Sequence, residues 1–255
     1  MSSTFASIEK KHVGNSLYTA VKKYSKNHGN IVIRHCKREL WALRELNVTS
    51  FDSCLEQHII QLIEYKEVGV YCCLTLPFFC NTLADKLSTN TNPALAHDLL
   101  EQISKGLEFI HGKNIVHCDL SPANILMDEV GHMIISDFGC AHSIVDDNQH
   151  DDNSDNNEVD EIGTRLYYKA PEHLFGSKKY APSTDVWSLG VIFCQILIGY
   201  PIFAGESDIE QIGIIVRSLG KPSAQTEDEE MSKYPDTNKL SFFSCPSNDE
   251  DDEDD

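Results

Sequence analysis

Four short clusters hold the residues best able to do chemistry. His117 to Asn124 reads HCDLSPAN, and Asp137-Phe138-Gly139 begins thirteen residues after Asn124. Ala170-Pro171-Glu172 follows, and Asp185-Val186-Trp187-Ser188-Leu189-Gly190 comes last. Carboxylates and an amide at these spacings suit phosphoryl transfer, which needs positioning and charge stabilisation more than covalent help from the protein. One carboxylate has to face the attacking hydroxyl, and Asp119 fits that need. Two oxygen ligands have to hold Mg2+ on the phosphates, and Asn124 and Asp137 fit that one. Gly139 lets the backbone turn sharply after the metal-binding carboxylate. Asp137-Phe138-Gly139 alone is a weak signal because it is three residues long. The four clusters in this order are a strong one, hard to reconcile with carboxylates on ordinary surface turns.

Such clusters need elements to carry them. Between residues 5 and 34, β-prone stretches are broken by the turn signals Val13-Gly14-Asn15 and Asn27-His28-Gly29-Asn30, a pattern that predicts antiparallel strands. Ile31-Val32-Ile33 reads as a compact third strand. Lys37 to Leu46 (KRELWALREL) reads as a helix, with Leu40, Leu43 and Leu46 at helical spacing. Ile59-Ile60, Leu62-Ile63 and Val70 to Leu76 read as further strands. From Pro93 onward the period becomes helical. Residues 94 to 111 place Leu99, Leu100, Ile103, Leu107 and Ile110 on one face. Residues 185 to 198 are apolar on most sides, and residues 209 to 219 form a helix ended by Gly220 and Pro222. The expected class is α+β in two lobes: a small strand-rich lobe over 1–78 and a mainly helical lobe over 79–243.

The net charge of −19 is unevenly distributed. Eight acidic residues lie between Asp146 and Glu161 and seven more run from Asp249 to Asp255, so −19 + 15 = −4 remains for everything else. Such runs repel themselves and hold few apolar residues, so they read as a solvated insertion at 146–161 and a solvated tail at 244–255. Direct nucleic-acid binding is not expected, because the phosphate backbone demands a positive face. No apolar run is long enough to span a membrane. The polar start from Met1 to Lys11 does not read as a signal peptide. Nine scattered cysteines without a Cys-x-x-Cys pair predict reduced thiols, in keeping with a cytoplasmic or nuclear location.

The stretch from Gly163 to Ile209 resembles the corresponding region of the cyclin-dependent kinases. So does IVRSLGKPS (215–223), followed by YPDTNKLSF (234–242). Within that family the likeness is to cell-cycle-related kinases and the monomeric CDK-activating kinases of fungi, and it covers roughly residues 10 to 243. The resemblance implies a bilobal protein kinase fold, ATP and Mg2+ as cofactors, and Ser or Thr of a protein as acceptor, including the activation loop of another cyclin-dependent kinase. It makes Asp119 the catalytic base, Asn124 and Asp137 the metal ligands, and Asp185 a brace for the catalytic loop. Leu76 falls at the gatekeeper position before Pro77 and Phe78, with Phe79 as the hinge donor to nucleotide; the alternative for this stretch is plain core packing.

Several positions depart from the family pattern. VGNSLYTAV (13–21) matches the glycine-rich loop only at Gly14 and Val21. Counting strands from there puts Arg34 at the phosphate-anchoring lysine, five residues before Glu39, the helix glutamate that pairs with that lysine. A second register makes Lys22 the anchor, seventeen residues before Glu39, but leaves almost no glycine loop. The first is preferred because it keeps the strand count. Its short linker also leaves no room for a cyclin, so the chain is expected to work as a monomer. Cys118 replaces the arginine that grips a phosphorylated activation loop, and Ser121 replaces the lysine that touches the transferred phosphate. Glu172 lacks its late arginine partner, since no arginine follows Arg217, and the large lobe reads as shortened at its end. These departures leave a catalytically weak scaffold, a pseudokinase, as the alternative to an active enzyme.

Overall fold

The computed structural model of the protein describes residues 5–14, 17–87, 93–144 and 165–220. Both acidic runs, 146–161 and 244–255, lie outside the described residues.

The first lobe is built on a hairpin. Strand β1 (Ser7–Gly14) pairs antiparallel with β2 (Leu17–Ser25), and Gly14 takes a φ of 105° at the turn, a conformation open to glycine at little cost. Strands β3 (Glu64–Val68) and β4 (Tyr71–Pro77) complete a four-stranded sheet in the order β1-β2-β4-β3. Side chains alternate along β2, so Ala20, Lys22 and Tyr24 share one face with their cross-strand partners Leu76, Leu74 and Cys72. Helix α1 (Asn30–Leu46) presents a buried stripe of Val32, Cys36, Glu39, Leu43 and Leu46.

Two of the sequence expectations are overturned in this lobe. Ile31-Val32-Ile33 is the first turn of α1 and not a strand, with the Ile33 N–H donating to the Gly29 carbonyl. A three-residue apolar run carries no period, and Val32 extends the 3.6-residue pattern set by Cys36, Glu39 and Leu43. Ile59 to Ile63 is not a strand either. Ile59 makes an isolated bridge to Ile135, and the Ile60 N–H donates to the Ile135 carbonyl. Helix α2 (Phe51–Gln57) precedes that linker, its first turn capped by the Ser50 hydroxyl.

After the short strand β5 (Asn81–Thr82) and helix α3 (Leu83–Leu87), the second lobe is organised by α4 (Pro93–Gly112). Its Ala96, Leu99, Ile103, Leu107 and Ile110 are buried at helical spacing, whereas Leu100 lies on the solvent side. A leucine such as Leu99, fully buried, contributes about 1.5–3 kcal/mol. Strand β6 (Ile115–Val116) pairs with β9 (His142–Ser143), and β7 (Ile125–Met127) with β8 (Met133–Ile135). The two pairs hold the intervening loops that carry the reactive residues. Helix α5 (Pro171–Leu174) leads to α6 (Pro182–Ile198), which opens on Pro182 and closes on Gly199 at φ 89°. Helix α7 (Asp208–Leu219) is capped by Ser207. No helix among the described residues is long and apolar enough to cross a membrane, and the eight described cysteines are all free thiols.

Candidate active site

Lys22 projects from β2 toward α1 and meets two carboxylates there. Its ammonium donates to Glu39 Oε1 at 2.8 Å and pairs with Asp137 Oδ1 at 2.8 Å. The second oxygen of Glu39 accepts from the Tyr24 hydroxyl at 2.6 Å, two residues along the same face of β2. Lys22 and Glu39 are almost wholly buried, and burying charges is tolerable only with partners of this kind. Burial pulls the Lys22 ammonium toward neutrality. Asp137 and Glu39 outweigh it and hold its pKa well above the usual range. At Asp137 burial raises the carboxyl, but Lys22 prevails and lowers it.

Asp137 reaches Lys22 from a left-handed backbone, φ 65°, followed by a short helical turn over Phe138–Cys140. Phe138 is fully buried and meets the His117 ring edge-on at 4.9 Å. A Cβ on Gly139 would lie 3.0 Å from His35 Nδ1 of α1. A side chain there would press on His35, so glycine eases this close approach, and Asp137, not Gly139, bears the positive φ.

Asp185, fully buried near the start of α6, holds the loop that follows β6. Its carboxylate accepts from the backbone N–H of His117 and of Cys118, both at 2.9 Å, and lies 2.9 Å from His111 Nε2. His117 Nε2 faces the Ser136 carbonyl at 3.0 Å, and its Nδ1 accepts from the Asp119 N–H at 3.2 Å. A carbonyl can only accept, so Nε2 carries the proton and the imidazole is neutral. Burial acts the same way, lowering the His117 pKa. Asn124 Nδ2 donates to the Asp119 carbonyl at 2.8 Å and to Asp119 Oδ2 at 3.0 Å. That orientation leaves Asn124 Oδ1 as its remaining acceptor. Asp119 Oδ1 and the Ser121 hydroxyl are buried without a protein partner. Burial, and then the charge of Asp137, push the Asp119 carboxyl up to about 8.

A lysine–glutamate pair reaching a left-handed aspartate, beside an aspartate–asparagine loop braced from a helix, agrees with what comparison shows. Residues 4–245 match the family described as Protein kinase domain. The chain belongs to the protein kinase family. It is 34% identical to cyclin-dependent kinase 20 of Rattus norvegicus over 236 residues, 91% of this chain and 64% of that protein. It is 32% identical to cyclin-dependent kinase-like 4 of Mus musculus over 206 residues, 79% of this chain and 55% of that protein. To cyclin-dependent kinase 7 of Caenorhabditis elegans it is 40% identical over 134 residues, 52% of this chain and 38% of that protein. The chain thus spans 64% of the length of the first of these relatives.

Set in a protein kinase, the candidate residues divide into those the fold brings together and those it does not. Glu39 and Asp137 meet at Lys22, and Asn124 meets Asp119. Arg34 does not take the anchor position. It lies in α1, on the same helix as Glu39, and two residues five apart on one helix cannot form the strand-to-helix pair seen between Lys22 and Glu39. The second register, with the partners seventeen positions apart, is the one adopted. Gly14 does not lie over this site. It closes the β1–β2 hairpin at the end where Thr19 pairs with Pro77, and Leu17 is already five residues, about 16 Å, from Lys22 along the strand. Val21, next to Lys22, points to the opposite face of the sheet. Residues 1–13 contain no glycine. Leu76 is buried at the end of β4. The Phe79 ring packs in the core, 6.1 Å from that of Phe51, so its side chain is spent on packing whatever its amide does. Glu172 is half-buried, not enclosed, and accepts from the Thr184 hydroxyl at 3.5 Å. Sequence reasoning missed Tyr24 as the second partner of Glu39; the signal was its two-residue spacing from Lys22. It also missed His111 beside Asp185.

Protein kinases use ATP and a divalent metal ion. The residues here fit that need. Asn124 Oδ1 and the Asp137 carboxylate oxygen not held by Lys22 are two hard oxygen donors, and among the described residues no cluster of three or more His, Cys, Asp or Glu forms a complete metal cage. Mg2+ characteristically takes one or two protein oxygens and completes its shell with phosphate and water. Two of the buried atoms without a protein partner, Asp119 Oδ1 and Ser121 Oγ, belong to this loop.

Proposed function

We propose that this chain is a serine/threonine protein kinase that transfers the ATP γ-phosphoryl group to a protein hydroxyl. The observation that carries this is the Lys22–Glu39–Asp137 triad, with Lys22 and Glu39 buried and Asp137 part-exposed. Its three members come from β2, α1 and the turn after β8, and their meeting has no use in packing alone. The Arg34 register, a main ground for a catalytically silent scaffold, falls with it.

In this reading Lys22 binds the nucleotide phosphates, and Glu39 and Tyr24 orient its ammonium. Asn124 and Asp137 hold Mg2+, which when bound neutralises charge on the phosphates. Asp119 accepts the hydrogen bond of the attacking hydroxyl and takes its proton. Asp185 keeps the Asp119 loop in place through the two amides it binds. Ser121 offers no cation to the transferred group, and the loss of one such contact costs on the order of 10²-fold in rate. Slow but real transfer follows.

The favoured acceptor is the activation loop of another kinase, in a cell-cycle setting in the cytoplasm or nucleus. Support comes from the likeness to relatives named as cyclin-dependent kinases. Independence from cyclin rested on the short Arg34–Glu39 linker, and that ground is gone now that seventeen residues separate Lys22 from Glu39. The outer face of α1, with Lys37 exposed and Leu40 and Trp41 half-exposed, leaves room for a partner. The decisive experiment is transfer from γ-labelled ATP with Mg2+ to an inactive kinase bearing its loop threonine, with and without a cyclin. Label incorporated by the parent and not by Asp119→Asn supports the proposal. Mg-ATP binding without any turnover in either condition overturns it.

A further inference from the structure

Beside the catalytic loop lies a small apolar cluster separate from the main core. Val116, Cys118 and Cys140 form it, with Tyr180 packed against them. Cys118 is 2% exposed and sits at φ 63°, one residue before Asp119. Cys140 is three residues after Asp137. One cluster therefore joins the chain segments that carry both carboxylates. Asp185 fixes the amides of His117 and Cys118, on the Asp119 side of the site.

Tyr180 covers this cluster from the connection between α5 and α6. Its ring stacks on His142 at a centroid distance of 3.5 Å and 9°, and lies 5.6 Å from His173 at 29°. His142 belongs to β9, whose partner across the strand pair is Val116. His173 is a fixed support: it is buried, with Nδ1 2.9 Å from the Ser177 carbonyl and Nε2 2.9 Å from the Thr184 hydroxyl. A planar ring held between a rigid support and a strand transmits position well, because close-packed groups have few alternative arrangements.

We infer that Tyr180 is a positioning residue for phosphoryl transfer: stacked on His142 and packed on Cys118 and Cys140, it holds the Asp119 loop in register with the Asp137 turn. The inference rests on the kinase reading above. Tyr180 touches neither nucleotide nor acceptor in this role, so its loss should misplace the carboxylates without removing a binding contact. A displacement of about 1 Å in such a pair is worth up to about 10²-fold in rate.

The test is steady-state transfer by the full chain. Tyr180→Ala should lower kcat at least about tenfold while KM for Mg-ATP stays within about twofold. Tyr180→Phe keeps the ring stack and should stay within about twofold of the parent. Ile196→Val, a mild core change remote from this cluster, should leave kcat in place, which separates positioning from general loss of stability. If Tyr180→Ala gives no folded protein, His142→Ala removes the stack from the other side and should show the same fall. An unchanged kcat in the alanine variants, or an equal fall in Tyr180→Phe, overturns the inference while the parent still transfers. A parent that transfers nothing overturns the kinase reading, and this inference with it.

Discussion

Replacing Asp119 by Asn should abolish transfer and, at the same time, make the fold more tolerant of rising pH. Burial, and then the charge of Asp137, push the Asp119 carboxyl up to about 8 in the folded chain. In the unfolded chain it is about 3.9. The folded state therefore holds a proton that the unfolded state releases, over the window between about pH 4 and pH 8. The stability linked to that proton is fully present below about pH 4 and is lost as pH rises to about 8. Each unit within the window costs about 1.4 kcal/mol. From pH 5 to pH 7 the parent should lose about 2–3 kcal/mol that the asparagine variant keeps. For a domain of this size that is about 5–10 °C in Tm. The asparagine retains the local geometry, since its carbonyl can still accept from Asn124 Nδ2, now 3.0 Å from Asp119 Oδ2. Its own amide would take the place of the unpartnered Oδ1 at a cost that does not vary with pH, so the slope and not the offset is diagnostic. Differential scanning calorimetry at pH 5, 6 and 7 without Mg2+ reads the effect directly. A Tm difference that stays constant across that range would show Asp119 ionised throughout and refute the reasoning.

Lys22→Met should lower kcat/KM about 10²-fold or more, as loss of a preorganised charge does, whereas Arg34→Met should cost less than Lys22→Met by at least about tenfold; the reverse order in a transfer assay would contradict the register seen here. Asp137→Asn should abolish the Mg2+-dependent part of ATP binding in calorimetric titration, while Asp119→Asn keeps it, so equal binding by both variants would sink the assignment of Asp137 as metal ligand. Phosphatase treatment should leave activity within about twofold, because the Cys118 thiol is buried and cannot pair with a phosphate as an arginine would. A large loss that an upstream kinase restores would show that another cation does that work.

Much of the site was legible because its chemistry is local in sequence. His117 to Asn124 brings Asp119 and Asn124 within one loop, and the hydrogen bond between them spans five residues. The helices at 93–112, 182–198 and 208–219 were legible too, since each sustains an apolar period over three or more turns. Where the period was short, sequence could not decide. Ile31-Val32-Ile33 suits a strand by composition, and only its place under the sheet, continuing the buried stripe of Cys36 and Glu39, makes it helical. That single choice gives Glu39 the partner Lys22 and not Arg34. Gly139 shows the same limit. Its type was evident, but its reason is His35, 104 residues earlier in the chain, approaching from α1. Sequence by itself determined which residues carry charge and which segments can form amphipathic helices, because both depend on neighbours along the chain. Which cation meets Glu39, and which ring braces Cys118, was decided only by tertiary structure, because those pairings are between separate elements and cost nothing in the sequence pattern until the elements pack.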